Sequence, residues 1–327
     1  DAGAILPQPG VPPMTTDFEV RPSDYRTAAH PDWCPGCGDF GILNAIRQSL
    51  AELNLQPHNV LAISGIGCSG KTPHYIKSYG LHTLHGRALP IATGAKLANH
   101  ELTVLAMGGD GDGYGIGAGH FVNSGRRNLD LTYIVFNNGV YGLTKGQSSP
   151  TLRRGIKTRS MTEPSFQDSV NPLAIAVSSG YTFVARGYAM DTKAMKDIMV
   201  RAIRHRGTAL VDVLQPCPVY NDVLTANWYA GRDMASAIPR VYDLEEEGFD
   251  PRVADPDDLD EVNAKKMAAI ARSFEWGDRI PTGVFYDIDL PTLEDGFKAH
   301  RSDAPTTSVY KQAVPGQDIA PLFDRFR

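Results

Sequence analysis

Apolar residues recur at helical spacing at Ile42, Leu43, Ile46, Leu50 and Leu53, which predicts a helix from about Phe40, with Asp39 placed to cap it and Pro57 beyond its end. Val60 to Ser64 is a short continuous apolar run that reads as a buried strand and breaks at Gly65-Ile66-Gly67. The alternation then repeats. Helices are predicted over 87–99, with Pro90 tolerated in a first turn, and over 117–124, 172–179 and around Met195, Ile198, Met199, Ala202 and Ile203. Strands are predicted over 103–107, 131–136, 181–185 and 209–214, and a polar loop over 143–162.

Strands that are apolar throughout and alternate with helices predict an α/β fold, a doubly wound and mainly parallel sheet flanked by helices, with a C-terminal extension. Three segments follow: an arm over 1–29, rich in proline and without periodicity; an α/β domain over 30–219; and an extension over 220–327. The last shows no strand rhythm, and its acidic clusters at 245–247 and 255–260 read as a solvated helical tail that docks a partner.

Composition narrows the function. The 37 acidic side chains against 32 basic ones give a net charge of -5, no footprint for nucleic acid. No apolar run is long enough to span a membrane, and no basic region followed by an apolar one opens the sequence, so a cytoplasmic protein is expected. Four cysteines in 327 residues cannot be a secreted disulfide scaffold.

Ligands of doubly wound sheets bind where strands end, and Cys68, Asp110, Asn138 and Cys217 all follow predicted carboxyl ends. Gly109-Asp110-Gly111 and Asn137-Asn138 stand with 25 residues between them. Such a pair of turns offers a carboxylate, an amide oxygen and a backbone carbonyl to a hard cation such as Mg²⁺, which commonly bridges a carboxylate to a pyrophosphate. A dinucleotide site is the weaker phosphate reading, because Gly113-Tyr114-Gly115-Ile116-Gly117 lacks the fingerprint spacing and its acidic partner. For Cys34-Pro35-Gly36-Cys37, spacing alone leaves open a buried pair, a zinc site with two histidines, a redox dithiol, or half of a four-thiolate [4Fe-4S] site.

The Gly-Asp-Gly and Asn-Asn pair resembles the thiamine-diphosphate motif, which implies Mg²⁺ on Asp110, Asn138 and the carbonyl of Val140. Trp33-Cys34-Pro35-Gly36-Cys37-Gly38-Asp39, Gly65-Ile66-Gly67-Cys68-Ser69-Gly70-Lys71 and His85-Gly86-Arg87-Ala88, in that order, resemble the β subunit of 2-oxoacid:ferredoxin oxidoreductases from about Trp33 to Pro218. The resemblance implies a thiamine diphosphate-binding fold and one [4Fe-4S] cluster on Cys34, Cys37, Cys68 and Cys217. It also implies cofactor contacts from Ile66, Gly67, Cys68, Ser69, His85, Gly86, Arg87, Gly111, Asp112, Gly142 and Leu143. Lys71 is assigned to the substrate carboxylate, as a compact cation beside the cofactor, with Leu143 at the reacting centre and Lys145 and Arg153 as helpers.

The implied reaction is oxidative decarboxylation of a 2-oxoacid with coenzyme A, reducing ferredoxin. The segment 142–151 looks more like the 2-oxoglutarate members than the pyruvate-restricted ones. A pyrimidine-binding domain is missing, so the resemblance implies an α partner and an αβ or (αβ)2 assembly. Two rival readings remain, an iron-free thiamine-dependent decarboxylase or synthase and a non-catalytic zinc-binding interaction subunit.

Overall fold

In the computed structural model, which describes residues 18–300, the apolar runs become strands because burial on both faces leaves their backbone groups only one another to pair with. In chain order the strands are β1 (Val60–Ser64), β2 (Tyr79–His82), β3 (Thr103–Gly109), β4 (Leu131–Asn137), β5 (Val140–Tyr141), β6 (Gln147–Ser148), β7 (Phe183–Tyr188), β8 (Thr208–Leu214), β9 (Val241–Asp243) and β10 (Ile280–Asp287). The α-helices are α1 (Asp39–Glu52), α2 (Ala88–Ala98), α3 (Ala118–Arg127), α4 (Pro172–Ser179), α5 (Thr192–Arg204), α6 (Ala226–Tyr229), α7 (Leu259–Ser273) and α8 (Leu293–His300). None of the described helices is long and apolar enough to cross a membrane.

Eight strands form one sheet in the order β2-β1-β3-β4-β8-β7-β10-β9. From β2 to β7 every pair is parallel. Every residue of β4 and of β8, the two central strands, is buried. Helices α1 and α5 cover one face through Ile42, Ile46, Leu50, Met195 and Met199. The other face is covered from α2, α3, α4 and α7 through Leu89, Phe121, Leu173 and Val262. This is the doubly wound arrangement that the alternation predicts.

Two expectations are corrected. The segment beyond Tyr220 has strand structure after all: β10 pairs antiparallel with β7, and β9 joins it in parallel, so both run against the rest of the sheet. The signal is present in Ile280 to Asp287, but Pro281 and Gly283 mask the apolar run; Gly283 has φ +96° beside a register shift between Val284 and Tyr286. The acidic stretch at 255–260 serves locally, with Asp258 capping α7 by accepting from the amides of Asp260 and Glu261.

The arm is described only in part. Its residues 1–17 lie outside the described part, but the rest is seated on the chain's own α1 region. Tyr25 is fully buried and its hydroxyl donates to the carbonyl of Leu55 at 2.7 Å, while the amide of Val20 donates to Asn54.

Because Phe285 is fully buried against the helices of the second face, Phe285→Ala lowers the unfolding free energy by about 3–5 kcal/mol in a urea titration. A change within about 0.5 kcal/mol would show that β10 lies outside the cooperative core.

Candidate active site

The carboxyl ends of β1, β3, β4 and β8 lie side by side, and the residues just beyond them enclose a cavity of about 170 Å³. Ile66, Gly67, Cys68, Ser69, His85, Asp110, Gly111, Asp112, Asn138, Val140, Gly142 and Leu143 all line it, as the sequence predicts. Gly86 and Arg87 do not. Gly86 serves instead through its amide, and Arg87 is the residue before α2, with its guanidinium near the Gly86 carbonyl.

The turn expected at Gly109-Asp110-Gly111 is helical. Gly111–Ile116 forms a π-helical turn that runs into α3, a wide turn often found at functional sites. Glycine is required there by space: a Cβ on Gly111 would lie 2.2 Å from the Tyr141 ring, and one on Gly113 2.0 Å from the Tyr133 hydroxyl. The turn points Asp110 into the cavity floor and Asp112 back toward the β1 loop.

Asp112 holds three loops together. Its Oδ1 accepts from the amides of Ile66 at 2.9 Å and Gly86 at 2.8 Å and lies 2.8 Å from His85 Nδ1. Its Oδ2 is buried without a partner, and Gly65 is what makes room, since a Cβ there would sit 2.0 Å from that oxygen.

Asp110 is 1 % exposed, and burial pushes its carboxyl up to about 6. Its Oδ2 accepts from the Gly139 amide at 3.1 Å and from the hydroxyls of Ser149 and Thr151. The Thr151 hydroxyl also lies 2.8 Å from Asn137 Oδ1. One O–H cannot donate to both acceptors, so this crowd of oxygens is completed by a proton or a cation. Asn138 Oδ1 accepts from the Val140 amide, which keeps the amide oxygen on the Val140 side. A carboxylate, an amide oxygen and a carbonyl from one floor are a hard donor set that fits Mg²⁺. Asn137 has a different task, donating to both oxygens of buried Asp212 at 3.1 and 3.3 Å. Ser149 and Thr151 escaped the sequence analysis, where their segment stood only for substrate preference.

Beside this floor stand the thiols. All four cysteines are free, Cys217 buried and the others half-buried. Backbone and side-chain bonds gather them: the Cys37 amide donates to the Cys34 carbonyl across a turn with Gly36 at φ +80°, the Trp33 indole donates to the Cys68 carbonyl at 2.8 Å, and the Gly38 amide donates to the Pro216 carbonyl. Burial raises the Cys37 and Cys217 thiols and pushes Cys68 up to about 11, and neighbouring thiols reinforce the rise at Cys37 and Cys68. As thiolates they therefore need a cationic centre among them.

Asp39 does not cap α1, as the sequence suggests it should. It lies inside the first turn, 1 % exposed, with both oxygens lacking a hydrogen-bond partner. The Cys34–Cys37 turn tucks the helix start under the cavity, so the carboxyl faces the thiols, and burial pushes it up to about 7. Gln215 also escaped the sequence analysis. Its Oε1 accepts from Asn138 Nδ2 at 2.8 Å, and its Nε2 donates to Cys37 Sγ at 3.2 Å and to the Pro216 carbonyl. It therefore joins the oxygen floor to the thiol cluster.

The cations are placed differently from expectation. Lys71 does not line the cavity; its Nζ lies 3.0 Å from both oxygens of Asp32, whose Oδ1 also accepts from the Tyr75 hydroxyl at 2.7 Å. Lys145 sits in the turn of the β5–β6 hairpin at φ +88°, and Arg153 lines a separate cavity behind Asn137–Gly139.

The chain is similar to several known proteins. Residues 65–213 match the thiamine pyrophosphate enzyme C-terminal TPP binding domain, and 217–302 match the C-terminal family of the pyruvate ferredoxin oxidoreductase beta subunit. A 2-oxoacid:ferredoxin oxidoreductase subunit beta of Saccharolobus solfataricus is 53 % identical over 88 % of this chain and 90 % of its own. Subunit beta of 2-oxoacid:ferredoxin oxidoreductase 1 of Aeropyrum pernix is 55 % identical over 93 % and 94 %. The 2-oxoglutarate oxidoreductase subunit KorB of Mycobacterium tuberculosis is 37 % identical over 94 % and 90 %. Among solved structures, the 2-oxoglutarate:ferredoxin oxidoreductase from Magnetococcus marinus with 2-oxoglutarate, coenzyme A and succinyl-CoA bound aligns with a TM-score of 0.78, at 34 % identity over 94 % of this chain and 96 % of that one.

Burial disfavours the ionised form of Asp110, so in chelator-treated protein its contribution to stability is present at low pH and is lost as pH rises through about 6. Relative to wild type, Asp110→Asn gains roughly 3 kcal/mol between pH 4 and pH 7, read from the difference of two urea-denaturation series. Parallel pH profiles would refute the assignment.

Proposed function

The chain belongs to the β subunits of the 2-oxoacid:ferredoxin oxidoreductases, and on that footing we propose that it binds Mg²⁺–thiamine diphosphate and one [4Fe-4S] cluster and, with an α partner, oxidatively decarboxylates 2-oxoglutarate. The products are CO₂ and, with coenzyme A, succinyl-CoA, and ferredoxin takes the electrons; the reaction is reversible. One observation carries the reading: Cys68 and the Asp110–Asn138 floor share a single cavity, and Gln215 bonds to both Asn138 and Cys37.

When bound, thiamine diphosphate supplies the nucleophilic carbon and electron sink, and the cluster accepts electrons singly. The chain's own residues do the rest. Asp110, Asn138 Oδ1 and the Val140 carbonyl hold Mg²⁺, and the loop 66–69 with His85 flanks the diphosphate. Cys34, Cys37, Cys68 and Cys217 hold the cluster. Gln215, 2 % exposed, fixes the distance between the two centres by bonding to a ligand of each. Leu143 forms the open lip, half exposed, where a 2-oxoacid enters. Lys71 receives the substrate carboxylate by exchanging it for Asp32.

A single zinc shared by three of these thiols finds no support in their placement. Three thiolates on one zinc at about 2.3 Å crowd to within about 4 Å of each other. Among the described residues no three sulfurs lie within 4.8 Å. An α partner is supported by the edge of the sheet nearest the site, where all of β2, Leu81 included, is exposed along with Leu84 and Ile116. That surface serves an αβ or (αβ)2 assembly. The KorB relative and the Magnetococcus marinus structure support 2-oxoglutarate, whereas the more similar archaeal relatives bear only the broader 2-oxoacid name. A cytoplasmic location completes this reading, since thiolate ligands persist in a reducing compartment.

Complex purified anaerobically with its α subunit should contain about four irons per β chain and turn over 2-oxoglutarate faster than pyruvate, while the β chain alone is inactive. Zinc without iron, or activity of the lone chain, would overturn the reading. Gln215→Leu removes a donor to a cluster sulfur, so it keeps the iron content but lowers the midpoint potential in an EPR titration; an unchanged potential would free Gln215 of this role.

A further inference from the structure

Behind Asn137–Gly139, on the side away from the cofactor cavity, lies a second, polar cavity of about 360 Å³. Arg153, Arg154, Arg186, Thr151, Asn171 and Trp276 line it. The three arginines differ. Arg154 is spoken for by a bidentate pair with Asp168 at 2.7 and 2.8 Å. Arg186, 4 % exposed, reaches Asp212 only through Nε at 3.4 Å, and its Nη1 is buried with no acceptor. Asp212 is already shared with Asn137 and Tyr114. Arg153 sits over the Trp276 ring, its Cζ 4.3 Å from the ring centroid, and has no carboxylate partner among the described residues.

Two guanidiniums with spare donors therefore face one roomy cavity. Burial, and next the field of Arg186, push Arg153 down to about 10. A like-charged pair held out of bulk water is stabilised by an oxyanion that accepts from both forks. Ring stacking orients Arg153, so less freedom is lost when the anion arrives.

We infer that this cavity is a binding site for a small dianionic oxyanion, of the sulfate/phosphate or dicarboxylate kind, held by Arg153 and Arg186 and separate from the diphosphate site. Its wall is also the back of the metal floor. Thr151, whose hydroxyl bonds to Asp110, lines the second cavity together with Asn137 and Asn138. An anion seated there braces the 149–151 segment against that floor. This inference rests on the cavity alone and stands independently of the substrate proposed above.

The test uses the αβ complex loaded with thiamine diphosphate and Mg²⁺, so that the diphosphate site is filled. Calorimetric titration with sulfate, and separately with malonate, is run against chloride at equal ionic strength. Saturable binding of at least one of them, at one site per β chain, is expected; which one binds distinguishes a tetrahedral oxyanion from a dicarboxylate. Arg153→Gln weakens it at least tenfold. No saturable uptake of either anion by wild type overturns the proposal, and so does Arg153→Gln protein that binds as wild type does. The first arm needs no variant and is decisive even if the substitution disturbs folding.

Discussion

Four adjacent parallel strands, β1, β3, β4 and β8, all end on one edge of the sheet, and the chemistry of this protein depends on that constraint. Parallel pairing requires each strand to be followed by a crossover, so each carboxyl end opens into a loop. The four loops cannot spread apart, because the strands beneath them are locked by ladders and by cores on both faces. Ile66 and Gln215, 149 positions apart, therefore meet in one crevice. The alternative, thiols and oxygen ligands on mobile surface loops, would pay for their convergence in conformational entropy each time a cofactor bound.

What meets there is expensive to bury. Asp39, Asp110, Asp112 and Asp212 are all at most 2 % exposed, and burial lifts Asp39, Asp110 and Asp212 above the ordinary carboxylate range. Buried thiols add to the same imbalance. A protein interior tolerates such groups only when protons or cations compensate them. The proposed Mg²⁺ would compensate Asp110, and the proposed cluster core would offset part of the charge of the thiolates that ligate it. Arg186 is the one buried cation that reaches Asp212 among the described residues, and it ties the Asp110–Asn138 floor to the second cavity behind it.

The hydrogen-bond framework shows how strain is kept out of the site. Asp112 clasps the loops after β1 and before α2, and Gln215 spans from the floor to the thiols. Both work because glycines leave room: Gly65 against Asp112, and Gly38 against Gln215, where a Cβ would sit 2.8 Å from Cγ. Strand β10, antiparallel to β7, and β9, parallel to β10, close the sheet at its far edge, away from this chemistry.

The sequence by itself determined the alternation of helices and strands, the doubly wound sheet, and the residue types at four strand ends, because apolar periodicity and glycine-rich breaks are local signals. It also carried the motif that pairs Asp110 with Asn138. It could not determine the direction a side chain takes once packed. Asp39 reads as a cap and is a buried carboxyl among thiols; Lys71 reads as a cation beside the cofactor and is held by Asp32 outside the cavity; Arg153 reads as a helper and faces another cavity. Nor could it show Gln215, Ser149 and Thr151 as links, or β10 as a sheet strand behind Pro281 and Gly283. Those outcomes rest on contacts between segments far apart in the chain, where burial and the competition for hydrogen-bond partners decide, and only the tertiary structure fixes which partner wins.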